Sequence, residues 1–187
     1  MNILINQTPF PGCFEIILPF HTDERGDFVK IFHEDAFRQR GLETHFPEEY
    51  YSLTRQGVLR GMHFQLPPHD HIKLVCCPYG EIFDAVVDLR VGSPTYGQYA
   101  TFDINPKIAK LLYIPSGLAH GFYVLSESAF VLYKVSTVYS PDHDTGILWN
   151  SANIPWPDTN PIISARDKAF PPLSNFKSLF VFQKEKL

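Results

Sequence analysis

The stretch VLRGMHFQLPPHDHIKLVCCPYGEIFDAVVDLR, Val58 to Arg90, decides the fold class. Its apolar runs are short, and each is cut by a residue that extended chain tolerates only at a bend: Gly61, the pair Pro67-Pro68, then Pro78-Tyr79-Gly80. This predicts one bent strand followed by two more joined at Gly80. Working outward, EEYYSLTRQGVLRGMHF predicts strand, turn at Gln56-Gly57, strand, and TYGQYATFDI predicts another beyond the turn at Gly92 to Pro94. Asn105-Pro106 opens a further turn. KLLYIPSGLAHGFYVLSESAFVLYKVSTVYS then gives three strands, broken at Pro115-Ser116-Gly117 and at Ser126-Glu127-Ser128. Residues 45 to 140 therefore read as an all-β sandwich or barrel, with too little helix for alternating βαβ units.

The flanks are less regular. Ile3 to Ile5 and Phe14 to Leu18 read as edge strands or an arm, and His21 to Phe28 as a polar turn closed by Gly26. VKIFHEDAFRQRGL reads as a strand passing into a short helix, with Glu34 and Asp35 at its positive end and Gly41 stopping it. Pro141 to Pro172 reads as a wrapping arm, and FKSLFVF as a terminal strand or an amphipathic segment. The 187 residues, 44% hydrophobic, fit one domain with arms. A formal net charge of −4 without a basic tail argues against nucleic acid as the main partner. No run approaches the length of a membrane span, and no positive n-region precedes an apolar core at the start, so no membrane partner and a cytoplasmic location are expected. Cys13, Cys76 and Cys77 read as buried free thiols, the adjacent pair projecting to opposite faces of a strand.

The opening stretch also concentrates basic groups. Arg60, His63, His69, His71 and Lys73 suit an anionic ligand, a metal, or both. A neutral imidazole beside fixed positive charge remains a base at neutral pH when a carboxylate holds its other nitrogen, and His120 stands in a second glycine-rich bend. Asp84, Asp88, Asp144 and Asp167 are all candidates for that carboxylate, and spacing does not choose among them. Asp84 and Asp88, embedded in apolar sequence, must be paired with cations or sit at a mouth of the sheet structure. Tyr123, Tyr133 and Tyr139 offer phenols. His69-x-His71 would place two imidazoles on one strand face, but no carboxylate follows closely, so no metal and no other cofactor is expected. No phosphate-cradling glycine loop is present, which leaves phosphate to Arg25, Arg60 and Lys73.

Taken in order, HTDERGDF, GVLRGMHFQLPPHDHIKLV, GEIFDAVVDLRVGSPTYGQY, YIPSGLAHGFYVLSESAFVLYKVSTVYSPDHDTGILWN, IPWP and ISARD resemble the dTDP-4-dehydrorhamnose 3,5-epimerase family over about residues 20 to 167. The resemblance implies a cupin-type jelly roll (a double-stranded β-helix), cofactor-independent, assembled as a homodimer that exchanges N-terminal strands. It implies epimerisation at C3, C5 or both of a nucleoside-diphosphate 4-keto-6-deoxyhexose. His63 is then similar to the base, Asp167 to the carboxylate that orients it, Lys73 to the cation at the C4 oxygen and Tyr133 to the acid on the opposite face. Arg60 resembles the pyrophosphate ligand, Arg25 a nucleotide ligand contributed across the dimer, and His120 the active-site histidine of PxGxxH; Tyr139 is placed with the substrate-binding residues. A ketoisomerase that shifts the carbonyl and a non-catalytic sugar-nucleotide-binding cupin are the alternatives.

The chain departs from the family pattern at His21, Lys30, Glu48, Tyr50, His71 and Cys76, where the family typically has Phe, Glu, Gln, Asn, Gln and often Arg. If Lys30 and Glu48 face the base, an acceptor has become a donor and an amide has become acceptor-only. That pair is compatible with cytosine, hence with a CDP-linked 4-keto-3,6-dideoxyhexose epimerised at C5, as well as with the ordinary dTDP sugar.

Overall fold

A computed structural model describes residues 2–183. Thirteen strands dominate it: β1 Leu4–Gln7, β2 Phe14–Ile17, β3 Phe20–Asp23, β4 Gly26–Val29, β5 Glu48–Arg55, β6 Leu59–Gln65, β7 Lys73–Tyr79, β8 Ile82–Asp88, β9 Tyr99–Ile104, β10 Lys110–Ile114, β11 Leu118–Val124, β12 Ser128–Val135 and β13 Asp144–Gly146. The helices are short, α1 Glu34–Arg38 and α2 Ala165–Lys168. One sheet runs β1-β2-β10-β7-β12-β5 and the other β13-β6-β11-β8-β9. The ladders within both sheets are antiparallel. This is the predominantly β, jelly-roll arrangement of the double-stranded β-helix.

Residue alternation explains the layering. Along β12, Ala129, Val131, Tyr133 and Val135 are buried while their neighbours are only partly so, the period of two expected of a strand with one face on a core. These side chains meet Val86, Phe122 and Val124 of the other sheet between the two layers. The outer face of the five-stranded sheet, with Phe64, Val87 and Tyr123, is covered by Ile154, Trp156 and Phe180 from the C-terminal arm. Leu74, Cys76 and Leu111 on the outside of the six-stranded sheet are covered by Ile3, Leu18 and Phe37. β11 lies at the centre of its sheet and is buried along its whole length. The three cysteines are free and buried, with Cys77 in the inter-sheet core and Cys76 in the outer layer, on opposite strand faces as expected.

Several flanking elements differ from the sequence expectations. His21 to Phe28 is not a turn but most of a hairpin, β3 pairing β4, and it joins neither main sheet. No strand precedes α1 between Lys30 and His33, and the helix spans only Glu34–Arg38, its acidic first turn answered by Arg38, which pairs with Asp35 at 2.9 Å and with Glu34. The C-terminal arm carries β13, which extends the five-stranded sheet at β6, and α2. FKSLFVF forms no strand; Val181 makes an isolated bridge to Val91. Pro67 and Pro68 leave His69 and His71 in the connection between β6 and β7 rather than on one strand face. Among the described residues, no helix is long and apolar enough to cross a membrane.

Candidate active site

The site begins with a bulge. β11 pairs β6 with His120 opposite His63 and Phe122 opposite Arg60, so two steps on β11 match three on β6. Three residues apart on a regular strand, Arg60 and His63 would face opposite ways; the extra residue turns both to the face shared by His120 and Phe122. Gly61 permits this, since its φ is +149° and a Cβ there would stand 2.6 Å from the Gly121 Cα. Arg60, His63, His120 and Phe122 consequently line one cavity of about 390 Å³, of ordinary size for a small-molecule site.

The four aspartates that were candidates to hold His63 have four different partners. Asp84 Oδ2 lies 2.7 Å from His120 Nε2, Asp88 binds Arg90 at 2.8 Å, Asp144 binds Arg166 at 2.7 Å, and Asp167 Oδ1 lies 2.9 Å from His63 Nε2. Geometry thus selects Asp167 for His63. Asp167 sits on α2, whose N-cap Ser164 accepts a hydrogen bond from the Asp167 N–H at 3.0 Å; its Oδ2 accepts the Gly61 N–H at 3.3 Å. Burial alone would raise its carboxyl, but the imidazole of His63, the Gly61 amide and Ser164 outweigh burial and hold the pKa below the usual carboxylate value. His63 Nε2 is buried beside Asp167, while the ring as a whole is 29% exposed and lines the cavity. Phe170 meets that ring edge-on at 5.8 Å.

Lys73 opens β7 and is buried; its Nζ donates to the His63 carbonyl at 3.2 Å. Burial pushes its pKa down to about 8, against the pull of Asp144 and Asp84. It is still a cation at neutral pH. The His120–Asp84 pair is buried on both sides, and Asp84 Oδ1 has no partner among the described residues; burial raises the Asp84 carboxyl and His120 opposes this. Arg60 Nε donates to Thr54 Oγ1 at 3.0 Å, which anchors the stem and leaves the terminal nitrogens for a ligand.

The far wall belongs to the other sheet. Alternate residues of β5, Glu48, Tyr50 and Ser52, line the cavity beside Tyr133 of β12. Tyr133 is buried, and burial raises its phenol well above the ordinary value. Glu48 Oε2 accepts the Tyr139 N–H at 2.7 Å, and both residues line the cavity. His71 also lines the cavity; burial and then Lys73 push its pKa down to about 3, and it is neutral there. His69 packs against His143 instead, with ring centroids 4.4 Å apart and planes tilted by 47°. Among the described residues, no three His, Cys, Asp or Glu side chains converge as a metal set.

Within one chain, two of the expected residues are elsewhere. Arg25 lies on the β3–β4 hairpin, paired with Asp23 at 2.5 Å and 86% exposed, and Lys30 is exposed just beyond β4; neither lines the cavity. Lys30 and Glu48 therefore do not meet as a base-reading pair in the single chain. Five cavity residues were not singled out in the sequence: Tyr51, Ser52, Gln65, Phe122 and Arg166, of which Ser52 is detectable by carrying the period of two back from Thr54 and Arg166 by its place next to Asp167 in ISARD.

Known proteins were compared against this geometry. Residues 7–175 match the family model described as dTDP-4-dehydrorhamnose 3,5-epimerase. The chain is 40% identical over 170 residues to a dTDP-4-dehydrorhamnose 3,5-epimerase of Shigella flexneri, covering 89% of this chain and 93% of the relative. Its structure is similar, at a TM-score of 0.93 and 32% identity, to a dTDP-6-deoxy-D-glucose-3,5-epimerase from Legionella pneumophila in complex with dTDP-4-keto-L-rhamnose, covering 98% and 100% of the two chains. It is also similar, at 0.85 and 29%, to a 3′-monoepimerase from Streptomyces bikiniensis in complex with dTDP-quinovose, covering 89% and 86%.

Proposed function

The chain belongs to the dTDP-4-dehydrorhamnose 3,5-epimerase family and is an isomerase of that kind; from its cavity we propose a dTDP-linked 4-keto-6-deoxyhexose as substrate, with His63 as base and Tyr133 as acid. The observation that carries this assignment is that the two groups stand on different sheets around one cavity, His63 on β6 and Tyr133 on β12. A 4-keto sugar held between those walls loses a proton to one, and the planar enolate so formed takes a proton from the other, which is what inversion requires.

The remaining groups follow the charge. Removing the proton beside the ketone moves an electron pair onto the C4 oxygen, where the Lys73 ammonium is placed to receive it; a well-placed donor of this sort is worth about 3 to 4 kcal/mol. Asp167 holds His63 in the tautomer that leaves Nδ1 unprotonated. The free end of Arg60 suits the diphosphate, as a planar fork that matches two phosphate oxygens. His120, fixed by Asp84, offers its ring to the sugar from beside His63.

Arg25 and Lys30 reach a cavity only in a second copy of the chain. The β3–β4 hairpin stands outside both sheets with Phe28 61% and Phe20 42% exposed, and a lone hairpin of that kind needs a surface to pack on. A homodimer in which each hairpin completes the partner's site meets that need. Free buried thiols support a reducing, cytoplasmic setting.

Incubation with dTDP-4-keto-6-deoxyglucose in D2O, read by NMR, tests the assignment. Deuterium enters at C3, C5 or both with inversion, and His63→Ala abolishes the exchange; retained exchange removes His63 from the role. The CDP-linked 4-keto-3,6-dideoxyhexose belongs in the same experiment, because the acceptor-only Glu48 at the opening favours a ligand amino group. With Lys30 outside the chain's own cavity, faster turnover of the dTDP sugar is the expected result.

A further inference from the structure

Tyr50 and Tyr133 are exact opposites in the β5–β12 register, and their rings stack with centroids 4.8 Å apart and planes 18° apart. On another side Tyr133 meets the edge of His120 at 6.1 Å and 72°. Ser52, the next inward residue of β5, lies beside the Tyr133 phenol, and its buried Oγ has no hydrogen-bond partner. Tyr133 is thus held by a ring face and a ring edge. Tyr50 itself is 40% exposed, lines the cavity, and its hydroxyl makes no hydrogen bond among the described residues. Its clearest contact is the stack, and an aromatic pair of this geometry favours the stacked rotamer over an unstacked one by roughly 2- to 10-fold.

We propose that Tyr50 is a positioning residue that holds the Tyr133 phenol opposite His63 and thereby couples proton removal to proton return on the other face. This rests on the reading of His63 as base and Tyr133 as acid. In the coupled reaction His63 takes the proton, the C–H electron pair moves into the enolate, and the Tyr133 O–H bond breaks as a new C–H bond forms on the opposite face. The phenolate then takes a proton from water, and the imidazolium returns one. When the phenol is out of reach, protonated His63 gives back a proton to the face it came from. In D2O that failure is visible as deuterium incorporation without inversion.

The same fold accommodates a 3′-monoepimerase as well as 3,5-epimerases, so the disposition of individual groups, not the fold, must govern where and on which face protons return. A Tyr50 that served only as packing would move stability or KM and leave the ratio of inversion to exchange alone.

The experiment measures that ratio for the wild-type chain, Tyr50→Phe and Tyr50→Leu with dTDP-4-keto-6-deoxyglucose in D2O. Tyr50→Phe keeps the stack and is expected to keep the wild-type ratio. Tyr50→Leu is expected to lower it by about tenfold or more, with total exchange within about threefold of wild type, since an ångström of misplacement costs up to about 100-fold in such a step. Tyr50→Val, a strand former at an edge-strand position open to the cavity, provides the same unstacking should the leucine variant not fold. An unchanged ratio in the unstacked variant overturns the proposal. So does a Phe variant that falls as far as the Leu variant, because the Tyr50 hydroxyl would then be acting directly. A wild-type chain that exchanges nothing sinks the epimerase assignment itself, a result distinct from either.

Discussion

His63 and His120 stand directly opposite each other on the β6–β11 ladder, yet each is held by a different carboxylate, Asp167 at 2.9 Å and Asp84 at 2.7 Å. The environments of the two pairs separate their roles. The His63 ring is 29% exposed and opens on the cavity, whereas the His120 side chain is 4% exposed and its aspartate is fully buried.

Asp167→Asn removes the charge beside His63 while keeping the shape of the side chain. The amide can present a donor to Nε2 and leave the proton on Nδ1, the nitrogen proposed as the base. The expected result is a kcat lower by about 10²- to 10⁴-fold with KM within a few-fold. Steady-state kinetics check it; a kcat within twofold of wild type would remove Asp167 from the orienting role.

Asp84→Ala acts on stability first. It strips a buried imidazole of its partner, a change that costs about 3 to 5 kcal/mol when a buried pair is broken from one side. For a chain of this size the melting temperature should fall by about 6 to 20 °C. Thermal unfolding at pH 7 is the check, and a fall under about 2 °C would show the pair to be dispensable.

The strands between residues 45 and 140 were legible because Gly61, Pro67-Pro68, Gly80, Pro115 and Gly117 punctuate runs of period two; charge in apolar sequence left Asp84 and Asp88 either paired with cations or at a mouth of the sheet, and both are paired. The bulge was not legible. Arg60 and His63 share a face only because β6 carries one residue more than β11 between two paired positions, a property of two strands rather than of one. Nor does spacing reveal that the carboxylate for His63 lies 104 residues onward, since α2 reaches β6 through the wrapped C-terminal arm. The hairpin from Phe20 to Val29 was misread as a turn because charged residues dominate its middle, and polar side chains are permitted on a ribbon that is hydrogen-bonded into neither sheet and is mostly exposed.

Lys73 ties catalysis to pH with opposite signs for activity and stability. Burial lowers its folded pKa from 10.5 to about 8, so above that point the folded chain loses the cation proposed to stabilise the enolate, and kcat should fall as pH rises through about 8. The unfolded chain keeps its proton up to 10.5, so stability rises with pH between about 8 and 10.5, and below 8 the folded state bears the full penalty of a buried ammonium. Lys73→Met removes that penalty and is expected to stabilise the protein at pH 7 by on the order of 1 to 3 kcal/mol while abolishing turnover. Melting curves at pH 7 and pH 10 check the sign. The gain should shrink at the higher pH, and equal gains at both would show that the lysine charge is not its source.

Arg25 provides the test of assembly, because in its own chain it is exposed and outside the cavity. If it serves the partner's site, Arg25→Ala should raise KM by about tenfold, the loss of one charge-assisted contact, with little change in kcat. His63→Ala should be inactive. Mixing the two variants under conditions that exchange subunits then separates the possibilities. In a mixed dimer, one site combines an intact His63 with the intact Arg25 of the other chain, and the second site carries both defects. Random pairing makes half the dimers mixed, so about a quarter of all sites regain the wild-type KM. Were Arg25 to act within its own chain, every site would keep one defect and no wild-type component would emerge. Substrate titration of the mixture, resolved into low-KM and high-KM phases, decides between them.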